Sequence, residues 1–186
     1  MNDKLIWVDL EMTGLDPEKG VILEIASIVT DSDLEIIAEG PNLAINYPEE
    51  IVRSMDEWSK SHHGASGLVD RVKSSHYDCK KAEEVTLRFL SQYCKRGESP
   101  LCGNSVWQDR RFLVKHMPRL ESFLHYRNID VSTIKELVRR WYPSLPAYEK
   151  RKAHLALSAL SDIKESINEL RYYRETVFVG GITLKC

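Results

Sequence analysis

The chain has 186 residues, enough for one domain with one sizeable core. Its 26 lysines and arginines stand against 28 aspartates and glutamates, a formal charge of -2, so no global basic field exists to grip long nucleic acids; a nucleic-acid substrate has to be short or locally held. Four cysteines (Cys79, Cys94, Cys102, Cys186) without a CxxC pair argue against a zinc ribbon or a disulfide framework and read as reduced thiols. With no apolar run near the ~20 residues of a membrane span and no basic-then-apolar N-terminus, the expectation is a soluble cytoplasmic protein.

Leu5-Ile6-Trp7-Val8-Asp9-Leu10-Glu11-Met12 predicts an apolar strand, and Thr13 to Pro17 supplies turn chemistry. Residues 21–30, rich in Ile, Val and Leu, predict a buried strand; the polar turn Asp31-Ser32-Asp33 leads into a third apolar run over 34–38, making a three-strand meander. Helical patterns follow. Pro48 is placed to open a helix through Trp58, Ser66 to cap a short one through Val72, and Asp78 to cap a helix over 80–93 whose inner stripe is Ala82, Val85, Phe89 and Tyr93. Residues 101–103 predict a short strand, 108–116 a helix and 128–131 another strand. Ser132-Thr133 open a helix to Trp141, with Thr133 and Glu136 at capping-box spacing, and a loop bearing Pro143 and Pro146 leads to a final helix over 155–175. This order predicts an α/β fold, a mixed sheet covered by helices. A single domain over 1–175 is expected, followed by an apolar tail over 176–186 to which no role is assigned.

The most informative residues are Asp9 and Glu11. Side chains two apart on a strand share a face, so the two carboxylates lie roughly 7 Å apart on a half-buried surface. Desolvation and mutual repulsion make that arrangement costly unless protons or a shared cation relieve it. The plainer reading is an edge strand with an acidic polar face. Asp109, after Gly103-Asn104-Ser105, and Asp162, within Ser161-Asp162-Ile163, read singly as solvated helix-surface residues. Together, four carboxylates can hold two Mg²⁺ or Mn²⁺ ions roughly 4 Å apart, activating a water and stabilising charge on a phosphodiester during in-line displacement.

Six strings carry a resemblance to a known family: 7–15 (WVDLEMTGL); 102–105 (CGNS) with 108–112 (QDRRF); 125–133 (HYRNIDVST); and 161–163 (SDI) with 169–175 (ELRYYRE). Over nearly the whole chain, the sequence resembles the oligoribonucleases, four-acid, histidine-containing 3′-to-5′ exonucleases. The resemblance implies a ribonuclease-H-like fold, a homodimer, two divalent cations, and hydrolysis of very short RNA, down to dinucleotides, to 5′-mononucleotides. It assigns the metal-binding role to Asp9, Glu11, Asp109 and Asp162, and the general base to His154, whose ordinary pKa near 6.5 suits proton transfer at neutral pH. It makes Leu15 a wedge against a base, Trp58 a stacking platform and His63 a nucleotide contact, with His62 as the alternative. Ser105, Arg127, Ser132 and Thr133 would cap the 5′ phosphate, a role that fits a helix N-terminus beside a planar bidentate donor. Tyr126 would reach into the partner's site.

One departure stands out. The family pattern sets the histidine five residues before the last aspartate; here that position is Leu157, and His154 lies eight residues before Asp162. Three extra helical residues add about 4.5 Å of rise and a rotation near 300°, so His154 serves as base only if the extra residues unwind or bulge. Two alternatives follow: another exonuclease of the four-acid class, trimming tRNA or proofreading DNA, and a catalytically weak nucleotide-binding module. The closed 5′-phosphate cap speaks against the first and retention of all four acids against the second.

Overall fold

Alternation along β1 (Leu5–Met12) sorts the molecule into two faces: Ile6, Val8 and Leu10 enter one buried cluster and Trp7 another. The computed structural model describes residues 3–55, 60, 63–64, 66–149 and 158–178. β2 (Ile22–Thr30), buried along its length, pairs antiparallel with β1 from Leu5↔Thr30 to Glu11↔Glu24. β3 (Ile36–Glu39) and β4 (Leu43–Ala44) both pair antiparallel with β2. Across β1, β5 (Pro100–Gly103) runs parallel, and β6 (His125–Asp130) runs parallel to β5. The order is β3-β2-β1-β5-β6, the expected mixed sheet.

Between β4 and β5 come α1 (Glu49–Arg53), α2 (Leu68–Ser74) and α3 (Cys79–Leu90). α4 (Val106–His116) and α5 (Pro118–Glu121) separate β5 from β6; α6 (Val131–Trp141) and α7 (Ala159–Thr176) follow. α3, α4 and α5 cover the Val8 face through Ala82, Leu90, Phe112, Leu113 and Leu120. α6 and α7 cover the Trp7 face through Val131, Val138, Ile163, Ile167 and Leu170. The α/β architecture of a mixed sheet flanked by helices is therefore formed, and Asp9 and Glu11, in phase with Trp7, face α7.

Where element ends depart from the sequence pattern, a turn or cap explains the change. β3 starts at Ile36 because Leu34 is left-handed (φ 69°) inside a turn in which the Asp31 carboxylate accepts from the N–H groups of Asp33 and Glu35, at 2.9 and 2.8 Å. Pro48 precedes α1 as expected, but α1 stops at Arg53 with Ser54 as its C-cap, short of the predicted 58. Gly67, at φ 70°, is the residue before α2, and Ser66, one residue further back, accepts from Leu68 N at 3.4 Å through its Oγ. α3 starts behind Asp78, which accepts from Lys81 N at 2.7 Å, and ends at Leu90, before the predicted 93.

The strand predicted over 128–131 is β6, which starts earlier and ends at Asp130. Asp130 caps α6 by accepting from Ser132 N at 3.0 Å; the expected Thr133–Glu136 box is not formed, the Glu136 carboxylate being paired with Arg139 and Arg140. α7 is Ala159–Thr176 behind Ser158, which is extended (φ -154°, ψ 151°) and closes a capping box with Ser161, while the predicted residues 155–157 lie outside the described residues. The far part of the expected tail, 179–186, lies outside the described residues.

Candidate active site

β1 outlasts its parallel neighbour. Its pairing with β5 covers Ile6↔Leu101 and Trp7↔Cys102, and beyond this Leu10 N–H donates to Asp109 Oδ1 at 3.0 Å. The chain reaches Asp109 through Gly103, where a Cβ would stand 3.3 Å from Val8 O, and through Ser105, held at φ 52°. Asp109 thus sits buried in the first turn of α4, at the carboxyl ends of β1 and β5, where open α/β sheets place their sites. From the opposite face, the first turn of α7 brings in Asp162. One oxygen from each of Asp9, Glu11 and Asp162 lies within 4.8 Å of the others.

A fifth carboxylate, missed in the sequence, stands beside them. Glu24 faces Glu11 across the β1–β2 register and is fully buried. Arg71 of α2 pairs with it, and its Oε2 accepts from Ala159 N, the first residue of α7, at 3.2 Å. The cluster's self-repulsion shows in its protonation. Burial, then the charges of Asp109, Glu11, Asp162 and Glu24, hold Asp9 well above the carboxylate range. Burial, then Asp162, Glu24 and Asp109, push Glu11 up to about 7 against a partial opposing pull from Arg71. Burial likewise raises Asp109 to about 7 although backbone N–H groups stabilise its charged form. Crowded, desolvated carboxylates of this kind are a functional-site signature, and an all-oxygen donor set fits a hard divalent cation.

The predicted substrate contacts group unevenly around these acids. Leu15 projects into solvent, 73% exposed, its carbonyl accepting from Gln108 Nε2 at 2.5 Å. His63 is buried against the acids: Nε2 donates to Met12 O at 2.9 Å, which turns Nδ1 toward Glu11 Oε2 at 3.6 Å. Trp58, His62 and His154 lie outside the described residues. Ser105 and Ser132 meet, Oγ to Oγ, at 3.1 Å, while Thr133 stands exposed beside them on α6. Asp130 Oδ1 joins this corner by accepting from Ser105 N at 2.9 Å as well as from Ser132 N.

Tyr126 and Arg127 are exposed on β6, the guanidinium 5.3 Å from the Tyr126 ring centroid. Arg110, next to Asp109, secures that strand by donating to the carbonyls of His125 and Tyr126 and to Asn128 Oδ1, at 2.6 to 2.8 Å. Of the residues the sequence did not single out, Glu24 carried a signal, a lone acid within Val21-Ile22-Leu23-Glu24-Ile25-Ala26. Arg110 and Asp130 fall inside the strings that carry the resemblance but received no role, and Arg71 carried no signal, since their roles depend on contacts between elements.

A family model described as an exonuclease matches residues 6–170. The oligoribonuclease of Dichelobacter nodosus is 57% identical over 178 residues, 96% of this chain and 97% of its own. That of Marinobacter nauticus is 59% identical over 177 residues, 95% and 97% of the two chains. The chain belongs to the oligoribonuclease family. Solved structures extend the likeness in fold beyond this oligoribonuclease group. Exonuclease I from Methylocaldum szegediense matches with TM-score 0.67 at 18% identity over 95% of this chain, and E. coli exonuclease I in complex with a dT13 oligonucleotide with TM-score 0.70 at 11% identity over 92%. The oligoribonuclease-family chain spans 41% of each of those exonuclease I chains, so what it shares with them is the ribonuclease-H-like fold.

Proposed function

We propose that the protein hydrolyses very short oligoribonucleotides, dinucleotides above all, from the 3′ end and releases 5′-mononucleotides. The convergence of the Asp9, Glu11 and Asp162 carboxylates within 4.8 Å, with Asp109 acting on the same cluster, carries the reading. These four acids would hold two divalent cations, Mg²⁺ or Mn²⁺. When bound, such cations polarise water and neutralise charge on the scissile phosphate.

The chain's own residues supply binding and proton transfer. Leu15 wedges against a base, Trp58 stacks on one, and His63, seated beside Glu11, contacts the nucleotide. Ser105, Arg127, Ser132 and Thr133 hold the 5′ phosphate at the positive end of the α6 dipole, closing the path a longer upstream strand would need. His154 takes the proton from water. Tyr126, 74% exposed, completes the partner's site in a homodimer. The free thiols of Cys79, Cys94 and Cys102 fit a reducing, cytoplasmic setting.

Turnover of a 5′-phosphorylated diribonucleotide, followed as mononucleotide release, tests the reading. Turnover is expected with Mg²⁺ or Mn²⁺, to stop with chelator, and to be abolished in Asp9→Ala and Asp162→Ala proteins that still melt cooperatively. Near-normal rates of either variant in Mn²⁺ would refute the four-acid assignment.

A further inference from the structure

Glu169 lies on α7 two turns beyond Asp162 and is buried, 2% exposed. Its Oε1 accepts from Tyr173 OH at 3.0 Å and faces Lys135 Nζ of α6 at 2.8 Å, and its Oε2 accepts from Asn104 Nδ2 at 3.2 Å. A carboxylate accepts and does not donate, so Glu169 fixes which end of the Asn104 amide faces α7. The same Nδ2 donates to Ser166 Oγ at 2.9 Å, and Ser166 donates its own proton to Asp162 O at 2.8 Å. With the amide held this way, Asn104 Oδ1 faces α6 and accepts from Ser132 Oγ at 2.9 Å, next to Ser105 Oγ. An unbroken hydrogen-bonded chain therefore runs from the backbone of a metal-site acid to the hydroxyls of the phosphate corner.

We infer that Asn104 and Glu169 are positioning residues that set the spacing between the carboxylate cluster and the 5′-phosphate pocket, and so tune the enzyme to a 5′-phosphorylated dinucleotide. The inference rests on the proposed phosphate role of Ser105, Ser132 and Arg127. Two features support a spacer over general packing. Both ends of the Asn104 amide are used, one toward each anchor, and Glu169 ties α7 to α6 a second time through Lys135, one turn beyond Ser132. A side chain that merely filled space would not need a fixed amide orientation.

Glu169→Gln keeps the shape but gives the side chain a donor of its own, releasing the Asn104 orientation and the Lys135 pair. Asn104→Ala removes the bridge and leaves Glu169 its other two partners, so it serves if the first variant fails to fold. For each, kcat and KM are measured on one diribonucleotide with and without its 5′ phosphate, beside Arg127→Ala. The expected result is a KM about 5- to 10-fold higher for the phosphorylated substrate, the size of one lost hydrogen bond, with kcat within about two-fold and the unphosphorylated substrate unaffected. Equal losses on both substrates, or none, while Arg127→Ala stays selective, would overturn the spacer. An Arg127→Ala protein without phosphate selectivity would overturn the phosphate reading itself, and the spacer with it.

Discussion

Glu11 shows how much one side chain's protonation depends on its neighbours. Burial and three nearby carboxylates hold it at about 7 against an ordinary 4.5, so between those values the folded protein keeps a proton that the unfolded chain has released. The stability linked to that proton is complete below about pH 4.5 and is lost as the pH rises through about 7. Asp109, also raised to about 7, works in the same direction. In chelator, the melting temperature is expected to fall by several degrees between about pH 5 and pH 8, by less in Glu11→Gln, and to recover in the wild type at the higher pH when Mg²⁺ or Mn²⁺ is added. Identical pH slopes for wild type and variant would show that the cluster does not govern this stability. Asp9 and Glu11 were legible in the sequence because strand alternation alone puts them on one face. Glu24 showed only as a lone acid in an apolar run, because its place opposite Glu11 depends on the β1–β2 register, a pairing between segments that neither segment specifies alone.

At the scale of elements, caps decide what spacing means. Eight residues back from Asp162 would turn and displace a side chain by a calculable amount on a continuous helix, but α7 ends its regular backbone at the extended Ser158. The helical rule therefore stops four residues after His154, and the count of eight no longer implies a misplaced imidazole. His154→Ala is expected to lower the rate about 10²- to 10⁴-fold with KM and the metal-induced rise in melting temperature little changed, while Leu157→His brings no gain. A harmless His154→Ala together with a faster Leu157→His would show instead that the natural chain lacks a positioned base. Long apolar strands such as β1 and β2 and the Asp78-capped start of α3 were readable from pattern and cap chemistry. β4, with two residues, and α5, with four, are shorter than any periodicity. α6 was placed correctly but its cap was not: Asp130 ends β6 in a position to serve both Ser105 N and Ser132 N, a tertiary advantage that Thr133 cannot match.

At the scale of the molecule, β6 closes one end of the sheet order and presents Tyr126, 74% exposed, beside Arg127. On α4, Trp107 is 56% exposed with Arg111 5.8 Å from its ring centroid, and Val114 is 57% exposed. An aromatic, arginine-rich surface around a sheet edge has the composition of an interface core. If Tyr126 completes the neighbour's site, two differently disabled chains repair each other. Asp109→Ala removes an acid from its own site but still supplies a tyrosine; Tyr126→Ala supplies no tyrosine but keeps its acids. A mixed dimer then contains one site with intact acids and a wild-type tyrosine from across the interface. Random exchange of equal amounts makes about half the dimers mixed, so about a quarter of all sites should work although neither parent does. The measurement is dinucleotide turnover after mixing, with exchange verified by native mass spectrometry of one mass-labelled chain. Activity that stays at the parents' level once mixed dimers are seen would mean that each protomer completes its own site, and that Tyr126 is exposed for another reason.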